Sequence, residues 1–414
     1  MGFKWPLMKS NFARADFDAI FNLLTNEPNA NPDCDWDTDV RLTQGDQVRA
    51  FEQEFSQWLG VKHSIFVNSG SSANLLTMTA LMERVGHNKQ QAFESRVLVP
   101  CVTWASDVTS VLHAGFEPVF VDIDRRTLGM DLRKAEEWGR KNGPPAAEFI
   151  THCMGYSAYG SLPNSDYGYK GADKVITIED CCEGPGATEA GRKVGTFGLA
   201  SNFSFYYAHH MTTVEGGMVC TDDDVFAQTV RCLRGHGLAR EAGGVAKDYA
   251  AAANKDLEPE FIFELEGYNC RSTEINAAIG RSQLKRLDEG IERRRELLQL
   301  FLSHLDPDLY QTDFAVEGSS PYALTLVLRN NDDKLRGAVA ALLLLQGVET
   351  RRGIAGGGNQ LRQPYLRRRY GTMYAEFPNA EHVHWNGFAI GLWPSLEPVE
   401  IKWLCEKLNG LKGV

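Results

Sequence analysis

Short β-branched and aromatic runs alternate with helical stretches through the middle of this chain, and this alternation restricts its possible folds. His63–Asn68, Val97–Val99 and Pro118–Ile123 read as strands, each leading into or out of a helical stretch. Further strands are predicted at 149–153, 175–178, 202–206 and 218–220. Several are continuous apolar runs, as expected of strands covered on both faces. The pattern predicts an α/β domain with a mostly parallel sheet, at residues 40–285.

The last part of the chain follows a different pattern. Residues Leu284–Leu305 predict a long amphipathic helix, and Tyr322–Leu328 and Phe388–Trp393 predict strands that alternate with two shorter helices. We therefore expect a small C-terminal α+β domain at 286–414, with residues 1–39 as an N-terminal segment. Ala239–Leu257 is rich in Ala and Gly, which predicts an exposed loop or mobile insertion.

Charge and composition exclude several classes of protein. The 414 residues carry 43 basic and 54 acidic side chains, a net charge of -11, which disfavours binding to nucleic acid or to an anionic membrane surface. The longest apolar run, Ala338–Leu345, is far shorter than the ~20 residues of a membrane span. Nine scattered cysteines without a CxxC pair indicate reduced thiols. We expect a cytoplasmic protein without a signal peptide.

Three segments at strand ends carry candidate chemistry. Asn68–Asn74 offers backbone N–H groups and small hydroxyls to an anion, although serine is also an ordinary helix cap. Asp180 ends a strand where α/β sheets place ligands, and it could bind a metal, a ribose or a protonated ring nitrogen. Ser204–Gly217 contains two adjacent histidines, His209 and His210. Neighbours in extended chain point to opposite sides, so they are not expected to chelate one metal together.

Together these segments resemble the DegT family of sugar aminotransferases, which are fold-type-I pyridoxal-phosphate (PLP) enzymes. The resemblance runs from about Leu42 to the end of the chain and includes the segment Gly267–Glu274. It implies an aspartate-aminotransferase-like fold and a homodimer with shared active sites. Asp180 would pair with the ring nitrogen, and Trp104 would stack on the ring. The implied cofactor-binding residues are Gly70, Ser71, Ser72, Trp104, Asp180, Ser204 and, from a second subunit, Asn269.

One position departs from the family pattern. Where the family has its Schiff-base lysine, this chain has His209, and no lysine occurs between Lys193 and Lys247. A histidine can move protons near neutral pH but cannot hold the cofactor covalently. The substitution resembles the sugar 3-dehydratases. Because the cysteines downstream of His209 are widely spaced, the resemblance favours the type without an iron–sulfur cluster, the GDP-4-keto-6-deoxy-D-mannose 3-dehydratase type.

The resemblance therefore implies a 3-dehydratase that uses PLP and pyridoxamine phosphate (PMP). It would remove the C3 hydroxyl of a nucleotide-linked 4-keto-6-deoxy sugar in deoxysugar biosynthesis, with L-glutamate as amine donor. His209 and Asp180 are predicted to be catalytic. Glu183 is predicted to donate or relay a proton, although a helix-start charge at a turn is an alternative. Arg271 and Asn359 are predicted to bind substrate, and no metal site is predicted.

Other functions stay open at this point. The chain could be a nucleotide-sugar aminotransferase in which another lysine or a bound amine substitutes, or a non-catalytic PMP-binding homologue. Gly184–Gly186 suggests a dinucleotide-binding oxidoreductase, although its spacing from the preceding strand fits such a loop badly. The nucleotide, the stereochemistry of the sugar and the role of His210 also stay open.

Overall fold

The computed structural model describes residues 4–25, 41–86, 95–161 and 175–413. The predicted N-terminal segment 1–39 lies partly outside these ranges. The strands are β1 (His63–Val67), β2 (Arg96–Pro100), β3 (Glu117–Val121), β4 (Ala147–Thr151), β5 (Ile176–Asp180), β6 (Thr188–Glu189), β7 (Arg192–Lys193), β8 (Ala200–Ser204), β9 (Gly217–Thr221), β10 (Leu324–Val327), β11 (Thr350–Arg352) and β12 (Gly387–Ile390).

The same ranges contain helices that alternate with these strands along the chain. They are α1 (Arg14–Thr25), α2 (Asp46–Leu59), α3 (Gly70–Val85), α4 (Ala105–His113), α5 (Leu132–Asn142), α6 (Asp224–Arg234), α7 (Ala239–Ala242), α8 (Gly244–Ala253), α9 (Glu274–Leu284), α10 (Leu287–His304), α11 (Asp333–Leu345), α12 (Pro364–Tyr370), α13 (Pro378–Asn386) and α14 (Pro398–Asn409). Across the described residues, every helix is too short or too polar to cross a membrane.

A seven-stranded sheet forms the centre of the larger part, in the order β1-β9-β8-β5-β4-β2-β3. All neighbouring pairs are parallel except those of β9, which runs antiparallel to β1 and to β8. The prediction of a mostly parallel sheet is confirmed. Because β1, β4, β5 and β8 point the same way, their carboxyl ends meet at one edge, the edge at which such sheets bind ligands.

An aromatic cluster holds β1 and β8 against α2. Phe51 of α2 packs on Phe66 of β1 with ring centroids 5.0 Å apart, and Phe55 packs on Phe203 and Phe205 at 5.1 and 5.4 Å. All five rings are buried. Burying one such ring stabilises the fold by about 1.5–3 kcal/mol. The cluster therefore fixes the position of Ser204, which lies between Phe203 and Phe205 at the end of β8.

The C-terminal part builds a smaller antiparallel sheet, in the order β10-β12-β11. Helices α10 and α14 pack together beside it, so the prediction of a smaller α+β region is confirmed. The predicted long helix begins at Leu287 rather than Leu284. The predicted boundary between 285 and 286 falls between α9 and α10, and the boundaries themselves stay predictions.

The prediction of a loop or mobile insertion over Ala239–Leu257 is wrong. The segment forms α7 and α8, separated by Gly243 with a φ of 75°. Alanine has the highest intrinsic helix propensity, so an alanine-rich segment without large apolar residues can still be helical. Ala239 and Ala250 pack against Ile262, which gives the helices a small core of their own.

Candidate active site

A cavity of about 240 Å³ lies at the carboxyl edge of the large sheet. It is bounded by the turn after β1, the ends of β4, β5 and β8, and residues of the C-terminal part. Seven residues predicted from sequence line it: Gly70, Ser71, Trp104, Asp180, Glu183, Ser204 and His209. The tertiary structure thus brings most of the predicted site residues to one place.

The turn into α3 forms an anion cradle. Ser69 caps the helix, because its Oγ accepts a hydrogen bond of 3.0 Å from the backbone N–H of Ser72. Gly70 and Ser71 open the helix, where N–H groups have no intrahelical partner and the helix dipole attracts negative charge. A Cβ on Gly70 would lie 2.6 Å from the Cβ of Ser204. Glycine thus allows the turn to approach the Ser204 hydroxyl closely.

Asp180 is held in one orientation at the end of β5. Its side chain is buried, with a residue exposure of 3%. The Oδ1 atom accepts a hydrogen bond of 2.8 Å from the backbone N–H of Cys182, and Oδ2 accepts one of 3.0 Å from Nδ2 of Asn74. A carboxylate fixed in this way at a cavity wall is suited to pair with a protonated ring nitrogen.

The two adjacent histidines face different surfaces. His209 lines the cavity, whereas His210 lines an open groove that also contains Arg286. Nε2 of His210 donates a hydrogen bond of 3.1 Å to the carbonyl oxygen of Ser320. The ring of Tyr322 contacts both imidazoles, with centroids 5.2 Å from His209 and 6.4 Å from His210. The two imidazoles thus line different surfaces, although they lie in a turn rather than in the extended chain from which opposite orientations were predicted.

The electrostatic environment keeps His209 neutral. Burial, followed by the positive charges of Arg294 and Arg351, lowers the pKa of His209 to about 3. At physiological pH the imidazole therefore carries one protonated nitrogen and one basic nitrogen. A neutral imidazole at a cavity wall can accept a proton from a bound molecule and return it.

Glu183 and Tyr322 line the same cavity. Burial raises the pKa of the Glu183 carboxyl, and the charge of Arg351 opposes this shift only in part. Its Oε2 accepts a hydrogen bond of 2.8 Å from the backbone N–H of Met154. Burial, with the nearby Glu183 charge, raises the pKa of Tyr322 to about 12, so its phenol keeps its proton. A neutral imidazole, a protonated phenol and a carboxyl group with a raised pKa thus surround one cavity.

Several predicted residues do not line the cavity. The Ser72 hydroxyl accepts a hydrogen bond of 3.0 Å from Ser69 Oγ, and Asn269 is exposed. Nη2 of Arg271 lies 3.3 Å from Nε2 of His236. Asn359 is buried, and its amide donates to the carbonyl oxygen of Tyr374 and to Glu381. The predicted cofactor and substrate roles of these four residues stay predictions.

Sequence reasoning missed other residues of the cavity. Thr151 ends β4, so the strand-end argument that found Asp180 could also have found it. Cys182 also lines the cavity, and the sequence analysis assigned it no role there. Tyr322 and Arg351 come from the C-terminal part, and no local motif marks them. The guanidinium of Arg351 also lies 5.6 Å from the Trp104 ring centroid.

The turn Gly184–Gly186 packs closely against residues of the C-terminal part. The Ser320 hydroxyl donates a hydrogen bond of 2.6 Å to the carbonyl oxygen of Pro185. A Cβ on Gly186 would lie 2.6 Å from Cδ1 of Ile291 in α10. These contacts join the turn to the C-terminal part, so the structure gives no support to its use as a dinucleotide loop.

One buried group outside the cavity has the composition of a metal site. His152, Glu179 and Cys181 place possible ligand atoms within 4.8 Å of one another. However, the carboxylate of Glu179 accepts three backbone N–H bonds of 2.7–2.8 Å. Nδ1 of His152 accepts a bond from the backbone N–H of Ala158, which leaves Nε2 protonated toward Glu179. The group is therefore explained by its own hydrogen bonds.

Known proteins resemble this chain over nearly its whole length. The profile of the DegT/DnrJ/EryC1/StrS aminotransferase family matches residues 35–409. A GDP-4-keto-6-deoxy-D-mannose 3-dehydratase from Yersinia pseudotuberculosis is 32% identical over 397 residues, covering 94% of this chain and 93% of that protein. One from Escherichia coli O55:H7 is 29% identical over 391 residues, covering 94% and 95%. A solved structure of the E. coli enzyme with bound hydrated PLP is 27% identical, with a TM-score of 0.81, covering 99% of this chain and 100% of that one.

Proposed function

This chain belongs to the DegT/DnrJ/EryC1/StrS aminotransferase family, and from that premise we propose that it is a PLP/PMP-dependent 3-dehydratase of a nucleotide-linked 4-keto-6-deoxy sugar. The predicted aspartate-aminotransferase-like fold is confirmed. The main evidence for this activity is that a neutral histidine, His209, lies in the cavity at the position where the family has its lysine. Similarity to two GDP-4-keto-6-deoxy-D-mannose 3-dehydratases supports it.

The cavity residues fit the cofactor. The close approach of Gly70 to Ser204 leaves a cradle that a Cβ would fill, and it brings a hydroxyl to the start of α3. Ser71 adds a second hydroxyl there. Trp104 is 48% exposed at the cavity wall, so its ring is available for stacking. We assign the phosphate to Gly70, Ser71 and Ser204, the ring nitrogen to Asp180 and the ring face to Trp104.

The residues of the chain then have distinct tasks. When bound, the cofactor supplies an electron-accepting ring that stabilises negative charge on a neighbouring carbon. Asp180 keeps the ring nitrogen protonated. The basic nitrogen of His209 takes a proton, and the carboxyl of Glu183 gives one. Because His209 cannot bind the cofactor covalently, the protein must retain the cofactor through the phosphate cradle and through stacking on Trp104.

We also propose how substrates are held. Arg351 presents a guanidinium at the cavity, and its fork suits a carboxylate such as that of L-glutamate, or a diphosphate. The predicted Arg271 would provide a second cation for a nucleotide sugar. The expectation that no iron–sulfur cluster takes part stays a prediction from the cysteine spacing.

We further propose a cytoplasmic homodimer in which Asn269 of a second subunit completes the site. Large apolar side chains at or beside the cavity are unusually exposed, as expected of an interface: Trp104 48%, Tyr206 40%, Tyr207 39% and Val214 50%. Asn269 itself is exposed, which suits a residue that reaches another chain. Sedimentation of the purified protein measures the oligomer, and a monomer at assay concentration would contradict this proposal.

The direct test is a product analysis. The protein is incubated with PLP, L-glutamate and a GDP-linked 4-keto-6-deoxy sugar, and mass spectrometry is used to look for loss of the C3 hydroxyl. Replacement of the C4 ketone by an amine would instead identify an aminotransferase. PMP binding without turnover of any 4-keto sugar would identify a non-catalytic homologue.

A pair of histidine variants assigns the base. His209→Asn should abolish C3 deoxygenation while retaining PMP binding, because the amide cannot take a proton at neutral pH. His210→Asn is the matched control, since His210 faces the groove rather than the cavity. Equal loss of turnover in both variants, or unchanged turnover in His209→Asn, would remove His209 from the proposed chemistry.

A further inference from the structure

A second buried carboxyl group lies beside Asp180 and has no task in the chemistry described above. Asp107, in the first turn of α4, has an exposure of 0%. A single amide nitrogen, Nδ2 of Asn74, donates to both acids: 2.9 Å to Oδ1 of Asp107 and 3.0 Å to Oδ2 of Asp180. Because one nitrogen reaches both carboxyl groups, the two acids are immediate neighbours in the buried interior.

The far side of Asp107 is occupied by two hydroxyls. Oδ2 accepts hydrogen bonds from Thr103 Oγ1 and, at 2.7 Å, from Thr151 Oγ1. The two hydroxyl oxygens lie 2.8 Å apart, and both threonines are buried. These donors satisfy Oδ2, and Oδ1 is the oxygen that shares the Asn74 amide with Asp180. With Oδ2 accepting from two hydroxyls, Oδ1 is the oxygen left to carry a proton when Asp107 is neutral.

Two ionised carboxylates in contact at a buried site repel each other strongly, and such pairs share one proton. Burial, and then the charge of Asp180, raise the pKa of Asp107 well above the usual range for an aspartate. The hydrogen-bond partners of Asp107 are the uncharged Asn74, Thr103 and Thr151. The other titratable groups near it are Asp180, Cys153, Cys182 and Tyr365, and burial raises the pKa of both thiols and of the phenol, which keeps them neutral. The pair therefore carries one negative charge, which matches the single positive charge of a protonated ring nitrogen.

We propose that Asp107 is a positioning residue: as a neutral carboxylic acid it donates a hydrogen bond to Asp180, and so holds that carboxylate, with the only negative charge of the pair, toward the cofactor's ring nitrogen. The inference rests on the proposed use of PLP and PMP, but it does not depend on which sugar is the substrate. It assigns a role to Asp107, the buried neighbour of the aspartate that we assign to the ring nitrogen.

Two substitutions of Asp107 test whether its side chain acts as a neutral hydrogen-bond donor or as a charged carboxylate. Asp107→Asn keeps the shape and neutrality. Its Nδ2, in the place of Oδ1, can donate to Asp180, and Asn74 then donates to Asp180 and Ser106 Oγ instead. Asp107→Ala removes the donor to Asp180 and one acceptor each of Asn74, Thr103 and Thr151. Thermal unfolding of the proteins without cofactor shows whether each variant folds.

The readouts are PMP affinity by equilibrium dialysis and the ¹⁵N chemical shift of the ring nitrogen in labelled, bound PMP. We expect Asp107→Asn to bind PMP within about threefold of the wild type, with the ring nitrogen still protonated. We expect Asp107→Ala to bind roughly tenfold more weakly or worse, as for a lost hydrogen bond to a charged group. The pH at which its ring nitrogen loses its proton should fall by about one unit.

The outcomes distinguish this inference from the proposed function. If Asp107→Asn behaves like Asp107→Ala, the charge of Asp107 is required and the neutral acid is refuted. If Asp107→Ala matches the wild type in affinity and chemical shift, Asp107 has no positioning role. If Asp107→Ala does not fold, Asp107→Asn decides alone by retaining or losing the protonated ring nitrogen. Failure of the wild type itself to bind PMP would overturn the proposed function together with this inference.

Discussion

Replacing Gly70 with alanine would place a methyl group where the structure leaves almost no room. An ideal Cβ at this position lies 2.6 Å from the Cβ of Ser204, 3.0 Å from Sγ of Cys182 and 3.1 Å from Oγ of Ser204. Carbon atoms in contact normally stay about 3.5–4.0 Å apart. Ser204 must therefore move, and with it the hydroxyl that we assign to the cofactor phosphate.

Two opposing effects set the stability of Gly70→Ala. Alanine in place of glycine favours a helix by up to about 1 kcal/mol. Overpacking of a well-packed site costs about 1–3 kcal/mol. We expect the free energy of unfolding without cofactor to fall by roughly 0–2 kcal/mol, the difference between these two terms. The protein should therefore still fold.

The effect on PMP binding should be larger than the effect on folding. Loss of one hydrogen bond to a charged group costs about 1.5–3 kcal/mol. Since 1.4 kcal/mol corresponds to a factor of ten, the dissociation constant for PMP should rise roughly 10- to 150-fold. Equilibrium dialysis measures this constant, and urea unfolding of the protein without cofactor measures the stability term.

Gly337→Ala is the matched control. Gly337 also lies in a helix, α11, but no atom lies within 4 Å of a Cβ built there. It should gain up to about 1 kcal/mol in stability and leave PMP binding unchanged. Unchanged PMP affinity in Gly70→Ala would refute the assignment of the cradle, and an equal loss in Gly337→Ala would show that the effect is not local.

Three further predictions follow from burial, charge and backbone geometry. The folded state lowers the pKa of His209 to about 3, so between about pH 6.5 and 3 the unfolded chain binds more protons than the folded one. As the pH is lowered through this range, His209 should therefore decrease the free energy of unfolding by up to about 1.4 kcal/mol per pH unit. Urea unfolding of wild type and His209→Asn measures this, and parallel curves would contradict it. Glu183 lies in the turn between β5 and β6, so the alternative of a helix-start charge is wrong. Glu183→Gln should retain PMP binding but lower the turnover rate about 10²- to 10⁴-fold in single-turnover assays, and an unchanged rate would leave Glu183 only a structural role in that turn. Gly155→Ala should strongly destabilise the protein in thermal unfolding, because Gly155 has a φ of 84° and a Cβ would lie 1.7 Å from the Ser320 carbonyl oxygen. Gly191→Ala, with a φ of 78° and open space, should lose only about 1–2 kcal/mol, and equal losses would contradict the clash.

Local sequence patterns determined much of this protein. Continuous apolar runs marked the strands of the large sheet, since a strand buried on both faces needs apolar residues throughout. Strand-end motifs placed Gly70, Asp180 and Ser204, and the substitution of His209 for a lysine is visible in the sequence itself. The failure at 239–257 arose because alanine-rich segments lack the apolar periodicity from which helices are usually recognised.

Only the tertiary structure decided which side chains meet. Tyr322 and Arg351 join the cavity from a part of the chain that follows the large sheet. The Asn74 amide, which donates to both Asp107 and Asp180, joins α4 to β5. The pKa of His209 depends on burial and on the charge of Arg294, another distant residue. Desolvation and Coulomb interactions act through space rather than along the chain, so the sequence could name the histidine but not its neutral state.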